Sequence, residues 1–169
     1  MKIRKTKLNG VYKIEIDKFI DFRGEYIESF NLKEFLKFKK IKFIQDDFSI
    51  SKKNVLRGFH GDNKTWKLVS CVHGSFDLVV INYNKLSDQF LKAAKFKLSD
   101  KKYEQILIPP KFGNAHLVTS NKAIFHYKQS TEYNREGQFT IKWNDPSYGF
   151  WWPIDDPITS IRDSGSKVN

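Results

Sequence analysis

An antiparallel all-β sandwich or barrel is the fold class the sequence predicts, on three observations. Aromatic residues are abundant, with 15 Phe, 7 Tyr and 4 Trp against a single Met, and aromatic and β-branched side chains fit pleated, half-buried surfaces. From Lys42 onward, short apolar-patterned runs follow one another at regular spacing, as the strands of a sandwich or barrel do. The gaps between them carry turn residues, as in Gly61-Asp62-Asn63, His73-Gly74, Ser99-Asp100 and Ser120-Asn121.

Taken in order, "VYKIEI" (Val11 to Ile16) alternates and reads as a strand, and "GEYIESFN" reads as another. "NLKEFLKFKK" is the best helix. Asn31 suits the N-cap, Glu34 follows three residues later as in a capping box, and Leu32, Phe35 and Leu36 recur at helical spacing. Its closing lysines suit a helix C-terminus. Strands are then expected in "KFIQDDFSIS", "VLRGFH", "WKLVSCVHG", "SFDLVVINYN", "AKFKLSD", "EQILIPP", "AHLVTS", "AIFHYKQS" and "FTIKWND". Two prolines in "ILIPPKFGNAH" end one strand and begin a rigid loop. No repeat or linker interrupts the 169 residues, so one domain, 1–169, is expected, with residues 164–169 ("SGSKVN") frayed.

Composition excludes several classes. No apolar run is long enough to cross a bilayer, and "MKIRKTKLNGVYK" lacks the apolar core of a signal peptide. The lone Cys71 cannot form an internal disulfide or a multi-cysteine zinc site. A cytoplasmic protein without membrane contact is expected. The net charge of +11 raises the question of nucleic acid. The lysines, however, are scattered and alternate with aromatics, with no basic arm or zinc-finger spacing. A lysine-rich solvated surface or an anionic small ligand fits better, and no nucleic-acid partner is expected.

Four side chains could carry chemistry. If "VLRGFH" is extended, Leu56, Gly58 and His60 share one face and Val55, Arg57 and Phe59 the other. A bulge at Gly58 would bring Arg57 and His60 together. On spacing alone His60 reads as a partly exposed histidine near a turn. Lys67 lies between Trp66 and Leu68 in a strand expected to be buried. It must snorkel, pair, or reach a polar cavity, where it could stabilise an oxyanion. Tyr127 shares a face with Ala123 and Phe125 and reads locally as a core tyrosine. Asp163 in "SIRD" is far away in sequence, and nothing local gives it a role. His73, His116 and His126 have no close ligand partners, and Asp62 stands where a second metal histidine would be needed, so no metal is expected.

The ordered strings decide more than the spacing. "DFRGEYIESFN", "FIQDDFSIS", "VLRGFHG", "WKLVSCVHGSFDLVVIN", "ILIPPKFGNAHLV", "FHYKQSTEY", "IKWNDP" and "SIRD" resemble the dTDP-4-dehydrorhamnose 3,5-epimerase family over residues 10–163. The resemblance implies a cupin-type jelly-roll β-barrel with a few short helices. It implies a homodimer that exchanges an N-terminal strand, a nucleoside-diphosphate 4-keto-6-deoxy sugar as substrate, and no cofactor. Within R-G-x-H the family's base falls on His60, and its orienting aspartate falls on Asp163. Its lysine near the substrate ketone falls on Lys67. Its tyrosine, within Y-K-x-S/T, falls on Tyr127. Arg23, Glu28, Gln45 and Arg57 match positions lining the nucleotide-sugar site, and an exchanged N-terminal strand would carry Arg23 and Glu28 to the neighbour's. Tyr133 matches an aromatic that stacks on the base.

The chain also departs from the pattern. The family's "P-x-G-F-A-H-G-F" reads "PPKFGNAHLV" here, so its histidine becomes Asn114, with His116 two positions on. "RGLHYQ" becomes "RGFHGD" and "QDN" becomes "QDD" with Asp47. These changes fall around the sugar and nucleotide pocket. They resemble a branch acting on GDP-linked 4-keto-6-deoxy heptose or related sugars in capsular or lipopolysaccharide synthesis, with C3, C5 or both inverted. A 3,4-ketoisomerase would need a second histidine at Asp62. A non-catalytic sugar-binding cupin would have lost His60, Asp163 or Tyr127.

Overall fold

The computed structural model describes residues 1–149 and 152–164. Its strands are β1 (Lys2–Lys5), β2 (Tyr12–Glu15), β3 (Lys18–Asp21) and β4 (Gly24–Ile27), then, after helix α1 (Leu32–Phe38), β5 (Gln45–Lys52), β6 (Leu56–Gly61) and β7 (Lys67–His73). There follow β8 (Ser75–Asn82), β9 (Ala93–Ser99), β10 (Glu104–Ile108), β11 (Phe112–Val118), β12 (Lys122–Gln129), β13 (Phe139–Thr140), a 3-10 turn at Pro146–Tyr148, and helix α2 (Ile161–Ser164).

Two antiparallel sheets face each other. One has the order β1-β2-β10-β7-β12-β5 and the other β13-β6-β11-β8-β9. This is the cupin-type jelly roll. Alternation builds it, because successive side chains in a strand point to opposite faces. In β8, Phe76, Leu78 and Val80 enter the core between the sheets. Val79 and Ile81 enter a second cluster with Leu56, Phe59 and Trp152 on the outer side. Covered on both faces, β8 reads as a near-continuous apolar run. A third cluster packs Phe35 of α1 onto Ile14, Leu68 and Leu107 of the larger sheet. The Asn31 side chain accepts from the Glu34 N–H (3.2 Å), as expected of an N-cap. The Glu34 carboxylate turns outward to Lys37 instead of completing the box.

Several boundaries differ from the sequence expectation. The strand expected to begin at Ala115 begins at Phe112, because the two prolines and Lys111 (φ 68°) make a turn tight enough for pairing to restart at once. "FTIKWND" keeps only Phe139 and Thr140 as strand. "GEYIESFN" pairs only over Gly24–Ile27, with β3, in a two-stranded hairpin separate from both sheets. Ser164 closes the last helical turn, its N–H donating to the Ser160 carbonyl (2.9 Å). The expected fraying of residues 165–169 lies outside the described residues. Among the described residues no helix is long and apolar enough to cross a membrane.

Candidate active site

The site lies between the two sheets, where alternation sends inward-facing side chains of β5, β7 and β12 towards those of β6 and β11. A pocket of about 250 Å³ opens there, lined by Ser49, Arg57, His60, Lys67, Asn114, His116, Tyr127, Tyr133, Gln138, Arg162 and Asp163, among others.

Arg57 and His60 share this pocket because β6 bulges. Asn114 pairs with His60 and His116 with Arg57, so three steps on β6 oppose two on β11. Gly58 permits this. Its φ is +110°, and a Cβ there would stand 2.4 Å from the Asn114 carbonyl oxygen.

Asp163 arrives from the far end of the chain. Val55 bridges to Ile158, and the Leu56 N–H donates to the Ile158 carbonyl (2.9 Å), so the C-terminal segment lies along β6. α2 then delivers Asp163, only 4% exposed, to within 2.6 Å (Oδ1) of His60 Nε2. Its Oδ2 accepts the Gly58 N–H (3.3 Å). Burial raises the Asp163 carboxyl pKa, but hydrogen bonds and charge from His60, with Gly58 and Ser160, outweigh it and leave the group below its ordinary value. Asp163 is therefore a carboxylate that accepts Nε2–H from the imidazole and leaves the lone pair on Nδ1.

Lys67 does not snorkel. It is 7% exposed and its Nζ donates to Asn114 Oδ1 (3.3 Å). Burial, opposed by Asp62 and aided by Arg162, pushes its pKa down to about 8. Asn114 thus occupies the lysine's hydrogen-bonding shell across the gap between sheets. Tyr127 is the reverse case. Burial, then Asp47 and Tyr133, raise its phenol to about 12, so it stays protonated. Asp47 is its cross-strand neighbour and is fixed by Gln45 Nε2 and Gln129 Nε2, each 2.8 Å from Oδ2. Gln45 Oε1 in turn accepts the Tyr133 N–H (2.7 Å). Gln45 and Asp47 therefore support the pocket wall rather than line it.

Arg23 and Glu28 stand outside this pocket. Arg23 pairs with Asp21 on the β3–β4 hairpin and lines a shallow cleft with Phe19 and Tyr26. Glu28 lines another with Asn31 and Phe35. Within one chain neither reaches the His60 dyad. Five lining residues were not singled out from sequence as site residues: Ser49, Phe125, Gln138, Ser160 and Arg162. The alternation Gln45, Asp47, Ser49 was a usable signal for Ser49. Arg162 bonds Thr140 Oγ1 (2.9 Å) and Gln138 Oε1 (3.3 Å), contacts that no local pattern announces. Among the described residues no group of three or more His, Cys, Asp or Glu is arranged to hold a metal.

Chemically, the pocket offers an oriented imidazole from one sheet, a protonated phenol from the other, and a cation between. Residues 5–168 match the family described as dTDP-4-dehydrorhamnose 3,5-epimerase. The dTDP-4-dehydrorhamnose 3,5-epimerase of Shigella flexneri is 36% identical over 173 residues, covering 99% of this chain and 96% of that protein. The crystal structure of dTDP-4-dehydrorhamnose 3,5-epimerase from Elizabethkingia anophelis NUHP1 matches with a TM-score of 0.90 at 34% identity, covering 98% of this chain and 94% of its own. That of the dTDP-6-deoxy-D-glucose-3,5-epimerase from Legionella pneumophila Philadelphia 1, in complex with dTDP-4-keto-L-rhamnose, matches at 0.92 and 31% identity, covering 98% and 90%.

Proposed function

The chain belongs to the dTDP-4-dehydrorhamnose 3,5-epimerase family, and from that premise we propose that it inverts C3 and C5, or C3 alone, of a nucleoside-diphosphate 4-keto-6-deoxy sugar. The observation that carries the mechanism is the His60–Asp163 pair on one wall of a pocket whose other wall supplies Tyr127.

A ketone at C4 acidifies the hydrogens on C3 and C5. His60 Nδ1 takes one as a proton, and the C–H electron pair becomes an enolate. The charged Lys67 ammonium stabilises the enolate oxygen, as a donor aimed at developing charge does. Tyr127, protonated at neutral pH, gives a proton to the opposite face and recovers one from solvent, to which His60 releases the proton it took. The substrate ketone is the electron sink. Arg57 and Arg162 suit the diphosphate, since guanidinium forks match phosphate oxygens. Tyr133, 46% exposed at the rim, suits stacking on the base.

The relatives' names favour dTDP as the handle. Asn114 and Asp47 keep a GDP-linked 4-keto-6-deoxy heptose as the second reading, with surface polysaccharide as the destination of the sugar. A homodimer exchanging its N-terminal hairpin is supported by apolar exposure. Phe22 is 98% exposed on the hairpin, and Phe48 and Ile50 are 62% and 63% exposed on the outer face of the larger sheet. Such a dimer would carry Arg23 and Glu28 to a neighbouring site.

The test is incubation in D2O with dTDP- and GDP-linked 4-keto-6-deoxy sugars, following deuterium at C3 and C5 by NMR. Incorporation with one nucleotide series identifies the handle. No incorporation with any such sugar refutes the reaction. Tyr127→Phe should retain exchange but slow inversion, and full inversion by that variant would remove Tyr127 as the acid.

A further inference from the structure

The pocket carries two polar atoms that this reaction does not use. His116 on β11 is 3% exposed, and its Nε2 has no hydrogen-bond partner. The Oγ of Ser49 on β5 is also buried without a partner. Both residues line the pocket. A buried polar atom left unpaired costs about 1–3 kcal/mol, and native interiors hold few of them. Two bordering one cavity mark a wall whose missing bonds a ligand supplies.

Register places this wall beside the chemistry. His116 lies opposite Arg57, and Asn114, two residues back, lies opposite His60. Ser49 lies opposite Phe125, while Asp47 lies opposite Tyr127. His116 and Ser49 are therefore each one inward-facing step along the strands from the catalytic layer. Phe125 joins them, because it is Ser49's cross-strand neighbour and its ring stacks on His116 at 4.1 Å and 10°.

The kind of ligand group follows from charge. Burial, then Arg57 and His60, push the His116 imidazole down to about 3, so it stays neutral at working pH. A neutral imidazole gives phosphate no counter-charge, which Arg57 and Arg162 supply. The ketone's developing charge is met by Lys67. A methyl group would leave both atoms unpaired. Hydroxyls, which donate and accept, match a neutral ring nitrogen and a serine.

We infer that His116 Nε2 and Ser49 Oγ form a neutral hydrogen-bonding wall for the ring hydroxyls of the bound nucleotide sugar, and so select the sugar independently of the nucleotide. The inference rests on the nucleotide-sugar reading above.

Calorimetric titration of dTDP and of dTDP-6-deoxyglucose, which lacks the ketone and cannot turn over, separates the sugar's share of affinity from the nucleotide's. In His116→Phe, which keeps a ring on Phe125, and in Ser49→Ala, which only removes a hydroxyl, dTDP affinity should stay within about twofold. The affinity ratio of dTDP-6-deoxyglucose to dTDP should fall about 5–10-fold in each, the worth of one hydrogen bond. An unchanged ratio in both variants overturns the wall, as does an equal loss for the two ligands. If the wild-type protein binds neither these ligands nor GDP and a GDP-linked 6-deoxy sugar, the nucleotide-sugar reading falls and the wall falls with it.

Discussion

Raising the pH through 8 should switch this enzyme off through Lys67. The lysine is 7% exposed, and burial brings its pKa from the ordinary 10.5 to about 8. In the proposed reaction its charged form stabilises the enolate, so activity would require the proton. With a pKa of about 8, about 90% of the lysine is charged at pH 7 and about 10% at pH 9. The value of kcat/KM, which reports groups in the free enzyme, should therefore fall about tenfold over that interval. Tyr127, at about 12, cannot produce such a limb. Residual activity of Lys67→Arg should lack it, because a guanidinium does not titrate there. A flat wild-type profile from pH 7 to 9.5, or a limb retained in Lys67→Arg, would refute the assignment.

The same burial has a sign in stability. Because the folded pKa is depressed, the folded chain penalises the ammonium. The penalty is absent above 10.5, grows as the pH falls, and is complete below about 8, where it reaches about 3 kcal/mol. Lys67→Met removes it and leaves Asn114 Oδ1 unpaired at a cost of about 1 kcal/mol. At pH 7 the inactive variant should be more stable by about 2 kcal/mol, a Tm rise of roughly 4–8 °C. A lower Tm would show that the ammonium is better accommodated than its burial implies.

Three further outcomes follow from the geometry. Asp163→Asn keeps the shape but removes the charge 2.6 Å from His60 Nε2; kcat should drop by roughly 10²–10⁴, with far-UV circular dichroism unchanged. Gly58→Ala places a methyl 2.4 Å from the Asn114 carbonyl oxygen at a φ of +110°; denaturant melts should show a loss of about 3 kcal/mol or more, since β6 and β11 must separate. Phe48→Asp on the exposed face of the larger sheet should halve the mass in sedimentation if that face joins two copies, and leave it unchanged if it does not.

The core was legible because both faces of its central strands are covered. The apolar runs of β8 and β10 can bury in only one architecture, so sequence places them to within a residue or two. β1 and β3 were missed for the opposite reason. The residues "KIRK" and "KFID" are largely exposed, so no buried face imposes alternation. Asn31 was legible as a cap because the bond it makes is local. Asp163 was not, because its partner is 103 residues away and the pairing of the segment around Ile158 with β6 brings the two together. The family resemblance supplied that role where spacing could not.

Three departures from sheet rules fall in one place. A lysine occupies a buried strand position, a bulge at Gly58 turns Arg57 and His60 of β6 to the same side, and a neutral histidine has an unpaired Nε2 in the interior. Each lowers stability, and a core selected only for packing would place Met, an unbulged strand and Phe there. Natural sequences keep such local conflicts mainly where function requires them. All three side-chain groups line the same pocket between the sheets. This convergence is evidence for the site that does not depend on resemblance, and it makes a simple demand. Substitutions that repair the conflicts, Lys67→Met and His116→Phe, should gain stability while losing catalysis in the first case and sugar selectivity in the second.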